Sequence, residues 1–506
     1  MAAAATVQTS QQTAGEAAPG GSNRFSGALP LVVPAVLAAI LGLWGIERQG
    51  SMWRDESVTW QVAHRPLGDL WSLLSHVDAV HGLYYLFMHG LFAIWEGGLL
   101  ALRMPSVAGT VLAAAGVGAI GRRLAGVRAG VLSGSAYALL PIVQHFSQEG
   151  RSYALVSATV IWSCFQLLRC LDNSSIRQWV IYACLVALAG WLHEFAALVL
   201  LAHWVTLRFT NPPQRTKRSW IVAAAAAVAV LVPLALVSAG QSGQQLGWLG
   251  RPSLAAWLQF FAISTSGVLL ARYVGRTAAL SVPTRQCSVT IPALALPLLV
   301  LPGGLLMTVS LLKPWYVERY VLYSAAGLAL LIGTALSAVS CSADWRSARV
   351  RITAGLMAVA GLSALLPWSL QTRSPESRKD DTVAVAQTID EYARRGDTVL
   401  FMPARRREWL LSAPSVYTTV TDLALDRSPT ASRTLQGTEL SADIIGSRIL
   451  QEDRIIAVAD PPGQPLDPFA EEVVKREVLK DHFERCLSKQ VLGAQISLYA
   501  RPGHCV

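Results

Sequence analysis

Long apolar runs separated by short basic clusters constrain this chain more than any other feature of its sequence. Runs of spanning length recur at about 27–46, 101–120, 129–147, 153–171, 178–192, 195–210, 219–238, 254–271, 289–312, 320–341 and 351–370. A hydrocarbon core about 30 Å thick takes ~20 apolar residues of helix, which satisfies its own backbone polar groups. Eleven such runs predict an α-helical polytopic membrane protein. The composition excludes a soluble multidomain chain: 53% of 506 residues are hydrophobic and only 15% are charged.

The net charge of +10 sits in connections between apolar runs. With the N-terminus in the cytoplasm, alternate connections carry Arg122/Arg123/Arg128, Arg169/Arg177, Arg208/Arg215/Lys217/Arg218, Arg272/Arg276/Arg285 and Arg346/Arg349/Arg351. All of these clusters then face the cytoplasm, as the positive-inside bias requires. The opposite connections mix cations with acids: Arg54 with Asp55, Glu149 with Arg151, and Lys313 with Glu318 and Arg319. No basic stripe with interleaved aromatics is present, so nucleic acid is not an expected partner. An odd number of crossings leaves the C-terminus outside. The chain is expected to be a multi-pass plasma-membrane protein.

Residues 1–26 begin with Ala, Gln, Thr, Ser and Gly and read as a disordered cytoplasmic tail. They lack the basic start and short apolar stretch of a signal peptide. Residues 27–371 read as the membrane core, with a first outer loop at 47–100 in which Gly82 to Trp95 forms a helix lying along the surface. Residues 372–506 read as a small extracytoplasmic α/β domain, with strands at Asp397–Phe401, Arg454–Ala459 and Gln495–Ala500 and a helical pattern from Ala470 to Gln490. Cys164, Cys170, Cys184, Cys287 and Cys341 fall in or beside apolar spans without metal-ligand spacing. Cys486 and Cys505 lie in the polar domain and could close a disulfide if it is exported.

Carboxylates at the end of a span need a reason. Asp55 and Glu56, in Trp53-Arg54-Asp55-Glu56-Ser57-Val58-Thr59, follow the first run. An ionised Asp there can take the proton of an acceptor hydroxyl as that oxygen attacks the anomeric carbon of a sugar. Glu56 could orient the acceptor, pair with Arg54, or hold a divalent cation such as Mg or Mn through hard oxygen ligands. Asp78 and His81 could bring further ligands to that cation, with Tyr84 and Tyr85 beside them. The same residues would serve equally well as an interfacial ion network that only orders the loop.

A lipid-borne sugar leaves a phosphate behind, and cations at headgroup depth must receive it. Arg151, Lys313 and Arg319 recur at outer ends of spans, each near a tyrosine, and each could also be a snorkelling anchor. Tyr153, His193 and Trp248 are candidates for contacting the sugar, the last in the polar loop Gln241-Ser242-Gly243-Gln244-Gln245-Leu246-Gly247-Trp248.

Taken in order, the Asp55 segment, His81-Gly82-Leu83-Tyr84-Tyr85, Leu102-Arg103-Met104-Pro105-Ser106, Gln148-Glu149-Gly150-Arg151-Ser152-Tyr153 and Arg319-Tyr320 resemble the C-type (GT-C) integral-membrane glycosyltransferases. The likeness is to the bacterial protein O-mannosyltransferase and aminoarabinose transferase group, especially actinobacterial mannosyltransferase-like members. It implies a polyprenyl-phosphate sugar donor, an outward-facing cavity and an exported C-terminal domain. By that resemblance Asp55 is the catalytic base, Glu56 and Asp78 assist, and Arg151 and Arg319 bind the lipid phosphate. Many relatives carry proline before the paired tyrosines where this chain has His81-Gly82-Leu83, which leaves the donor and acceptor open.

The expected function is inverting transfer of a sugar, mannose by resemblance, to a cell-envelope glycan, lipid or protein. A lipid-linked sugar transporter or flippase and a noncatalytic envelope assembly protein are the alternatives. A flippase needs ionisable groups at span centres, and these runs nearly lack them.

Overall fold

The computed structural model describes residues 23–246, 250–279, 289–341 and 347–505. The helices of the membrane core are α1 (Asn23–Leu43), α2 (Arg54–Ala63), α3 (Leu67–Leu74), α4 (Gly82–Ile94), α5 (Gly98–Ala125), α6 (Val127–Leu139), α7 (Pro141–Ser147), α8 (Tyr153–Asp172), α9 (Ile176–Leu192), α10 (Val199–Thr210), α11 (Gln214–Leu246), α12 (Leu254–Ala279), α13 (Ile291–Val309), α14 (Ala325–Ser340) and α15 (Ala348–Thr372). Among the described residues, eight helices are long and apolar enough to cross a membrane. The other three expected spans are shorter or broken. The run 129–147 divides into α6 and α7 because Pro141, which lacks an N–H, turns Leu140 out of helical conformation (ψ 128°). The run 178–192 is the 17-residue α9, and 195–210 is a 3₁₀ turn, Glu194–Leu198, followed by α10.

Small residues let the central helices approach closely. A side chain at Gly118 of α5 would collide with the Pro30 carbonyl oxygen of α1, and one at Gly333 of α14 with the Ser133 backbone of α6. In hydrocarbon, where association rests on van der Waals contact, such close approach is what holds helices together. Peripheral helices present apolar side chains outward, Leu258 and Phe261 on α12 and Ile352 and Leu356 on α15, the face that lipid covers.

The loop after α1 holds α2, α3 and α4 against the end of this bundle. α4 buries Tyr84, Tyr85, Met88 and Phe92 and exposes Leu86 and Phe87, the division expected of a helix at an interface. The N-terminal tail lies almost wholly outside the described residues, α1 beginning at Asn23.

Beyond Thr372 the chain forms an α/β domain with helix α16 (Thr382–Tyr392) and strands β1 (Thr398–Met402), β2 (Thr421–Asp422), β3 (Leu425–Arg427), β4 (Thr438–Glu439), β5 (Arg454–Ala459), β6 (Glu484–Val491) and β7 (Ala494–Ala500). The main sheet runs β2-β1-β5-β7-β6, its first three strands parallel and the last pairings antiparallel, while β3 and β4 form a separate pair. β1 and β5 are almost wholly buried, as strands covered on both faces must be. The helical pattern from Ala470 to Gln490 is corrected here: the helix ends at His482, and residues 484–491 are the edge strand β6. The hairpin through Gly493, at φ +83°, pulls that segment onto β7, and pairing overrides helical period. Cys486 on β6 is bonded to Cys505 just beyond β7.

Candidate active site

Helix α2 carries Asp55 and Glu56 in its first turn, where negative charge complements the helix dipole. Their side chains go to different places. Glu56 is fully buried and accepts Arg103 Nε at 2.8 Å, Arg103 Nη2 at 2.7 Å and the Gly150 N–H at 3.0 Å, with Arg48 also paired to it. Burial pushes its carboxyl up, but Arg103 and Arg48 outweigh burial and hold it well below the ordinary carboxylate range. Glu56 therefore fastens the loop to the start of α5 and to the Glu149–Arg151 turn. It does not line the cavity described next, where the sequence led us to expect it beside Asp55.

Asp55 opens instead into a cavity of about 150 Å³ lined by Asp78, His81, Arg151, Tyr153, His193, Arg319 and Tyr320, among others. Arg319 Nη2 stands 3.2 Å from Asp55 Oδ2, and Arg151 Nη2 stands 3.7 Å from Oδ1. Burial raises the Asp55 carboxyl, yet Arg151 and Arg319 bring it below its usual value, so it is ionised at neutral pH. The Arg319 guanidinium lies 5.5–5.8 Å from the ring centroids of Trp53, Tyr153 and Tyr320, a box that fixes a cation without consuming its hydrogen-bond donors.

Asp78 sits in left-handed conformation (φ 62°) and accepts the Tyr85 hydroxyl, whose oxygen accepts Arg151 Nη1 at 2.9 Å. Burial pushes the Asp78 carboxyl up. Two carboxylates of one cavity are thus driven in opposite directions, the arrangement that separates a base from a group able to stay protonated. His81 and His193, with ring centroids 5.7 Å apart, are both held well below the usual imidazole value by burial and the neighbouring charges, and are neutral.

The remaining expected site residues lie elsewhere. Tyr84 packs with Met52, Met88 and Leu102 in the core under the loop. Tyr85 is buried behind the cavity, where it ties Asp78 to Arg151. Lys313 is near the Trp315 ring, 5.7 Å from its centroid, and does not line the cavity. Trp248 lies outside the described residues. For a divalent cation the donor set does not fit: Glu56 is taken by two arginines, and among the described residues no three His, Cys, Asp or Glu side chains converge.

Sequence reasoning missed the residues that hold α2 from the far end of the chain. Asp380 Oδ1 accepts the Arg54 N–H at 2.6 Å, Thr382 N–H donates to the Met52 carbonyl at 2.7 Å, and Arg54 Nε donates to Glu408 at 2.9 Å. Ser57 donates to the Glu408 carbonyl at 3.1 Å, and Leu435 of the same domain lines the cavity. The domain beyond Thr372 is part of the wall around Asp55. The one sequence signal was the return of acids in Lys379-Asp380-Asp381 directly after the last span.

Residues 82–238 match the family described as dolichyl-phosphate-mannose-protein mannosyltransferase. That segment contains Arg103, Arg151 and His193 and leaves Asp55 and Arg319 outside. No curated protein sequence matches the chain. Among solved structures, ArnT from Cupriavidus metallidurans bound to undecaprenyl phosphate is similar at TM-score 0.53 and 11% identity, covering 94% of this chain and 97% of that one. The archaeal oligosaccharyltransferase AglB from Archaeoglobus fulgidus, in complex with an inhibitory peptide and a dolichol-phosphate, is similar at TM-score 0.50 and 12% identity, covering 86% of this chain and 69% of that one. At such identities the structural likeness speaks for the fold. Residues 82–238 thus resemble that mannosyltransferase family in sequence, and the bundle with its appended α/β domain shares the fold of ArnT and AglB.

Proposed function

We propose that this chain moves a sugar, mannose, from a polyprenyl-phosphate donor to a cell-envelope glycan, lipid or protein acceptor, with inversion at the anomeric carbon. The observation that carries this reading is Asp55 meeting Arg151 and Arg319 in one cavity. The lipid phosphates bound to ArnT and AglB support the donor class, and the description of the matched family supports mannose.

The geometry suits a single displacement. The acceptor oxygen attacks C1, the bond between C1 and the phosphate oxygen breaks, the acceptor proton passes to Asp55, and the polyprenyl phosphate departs as an anion. Arg151 and Arg319 receive that charge. A phosphate that draws both arginines also removes the cations depressing the Asp55 pKa, so donor binding makes Asp55 a stronger base. Asp78 and the neutral His81 and His193 line the same cavity, which supports a role for them in bonding sugar hydroxyls.

Charge and chemistry support one orientation. Arg122 contacts Gly27 and Arg123 contacts Asp172, at the bundle end away from Asp55. Placing that basic end in the cytoplasm puts the cavity and the Cys486–Cys505 disulfide outside, where disulfides persist. Purified protein incubated with radiolabelled polyprenyl-phosphate mannose and a membrane extract should give a labelled glycoside of inverted anomeric configuration. Release of free mannose alone, or transport without a new glycoside, would contradict the reading.

A further inference from the structure

A second cavity lies in the exported domain, with a volume of about 350 Å³ and walls that include Arg405, Gln436, Glu439, Asp467, Phe469 and Glu472. From its chemistry we infer that this cavity binds a neutral saccharide.

Phe469 is 66% exposed and presents an apolar ring at the cavity. Glu472, by contrast, is only 4% exposed; its Oε1 accepts the Ala404 N–H at 2.9 Å and Lys475 Nζ at 3.0 Å, while Oε2 is buried with no partner. Asp467 Oδ1 is a second buried acceptor without a donor. Buried carboxylate oxygens cost free energy until a donor reaches them. The wall therefore asks for hydroxyl donors beside an apolar ring face, the two surfaces of a pyranose or furanose. Most of the charge on this wall is already matched, which favours a neutral ligand over a cation: Lys475 and Arg407 face Glu439 at 2.6 and 2.9 Å, Lys475 also faces Glu472 at 3.0 Å, and Arg405 faces Asp467 at 3.3 Å, leaving the half-buried Glu471.

The position links this cavity to the first one. Leu435 lines the Asp55 cavity and the next residue, Gln436, lines the Phe469 cavity. A saccharide seated against Phe469 thus lies across one short segment from Asp55. The saccharide site stands on its own geometry; that its occupant is the acceptor rests on the proposed transfer.

The test uses the full chain in detergent, titrated with linear tetrasaccharides of neutral hexoses and of neutral pentoses and with trilysine, read by saturation-transfer NMR and calorimetry. A tetrasaccharide is expected to bind, with affinity at least tenfold weaker in Phe469→Ala and in Glu472→Gln and restored in Phe469→Tyr, at an unchanged unfolding temperature for the Phe469 variants. Asp55→Asn is expected to bind as tightly as the parent. No binding of any tetrasaccharide, binding of trilysine alone, or equal affinity in Phe469→Ala would overturn the site. Tetrasaccharide binding by a parent chain that transfers no sugar would leave the site standing and defeat the transferase reading instead.

Discussion

The Arg319 guanidinium stands 3.2 Å from the Asp55 carboxylate, although one residue follows the first long helix and the other precedes α14. Against the opposing effect of burial, Arg151 and this contact together hold the proposed base below its usual value. Because cations hold Asp55 below its usual value, the deprotonated form persists as pH falls, and the acidic limb of kcat/KM should lie below the ordinary carboxylate range. Removing a cation raises that pKa, so Arg319→Gln should move the limb to higher pH and lower the rate at neutral pH. A pH–rate profile of both forms checks the sign; an unmoved limb would mean that Asp55 is not the group titrating.

Glu56 should behave as a structural residue. Replacing one partner of a buried, hydrogen-bonded ion cluster leaves the others uncompensated, at a cost of roughly 3–5 kcal/mol. Glu56→Ala and Arg103→Ala are both expected to lower the thermal unfolding midpoint in detergent and reduce the yield of folded protein. A Glu56→Ala protein as stable as the parent but inactive would return Glu56 to the chemistry.

The Tyr85 hydroxyl bridges Asp78 and Arg151 without lining the cavity, so Tyr85→Phe should act through Arg151. The expected result is a rise in donor KM of several-fold with kcat reduced less. Equal loss in both would indicate a general disturbance of the loop.

Asp380 couples the C-terminal α/β domain to α2. Burial lifts its carboxyl to about 6, above its value in an unfolded chain, so the folded state holds an extra proton between those two values. Stability contributed by this group is present below the unfolded pKa and is lost as pH rises through about 6. Asp380→Asn, which cannot ionise, should remove that part of the pH dependence in an unfolding series from pH 4 to pH 7.

How much of this could be read from the chain depends on the range of the interaction. Spans are local patterns of one helix, so eight appear as long helices and only the Pro141 break and the short α9 and α10 depart. Asp55, Asp78, His81, Arg151, His193 and Arg319 were legible as charged or polar groups at one side of the spans, and they meet in one cavity. What separates Asp55 from Glu56 was not legible. Adjacent helix positions point in different directions, and which one faces Arg103 and which the cavity is decided by tertiary packing. The β6 strand and the grip of Asp380, Thr382 and Glu408 on α2 were hidden for the same reason, their partners lying far away in the chain.

The most direct test of the account is single-turnover transfer by Asp55→Asn with polyprenyl-phosphate mannose and a competent acceptor fraction. Asparagine keeps the shape and cannot take the proton, so transfer should fall by about 10²–10⁴, while folding is unchanged and the donor is still bound by Arg151 and Arg319. Transfer within a few-fold of the parent would contradict the assignment of Asp55 as the base.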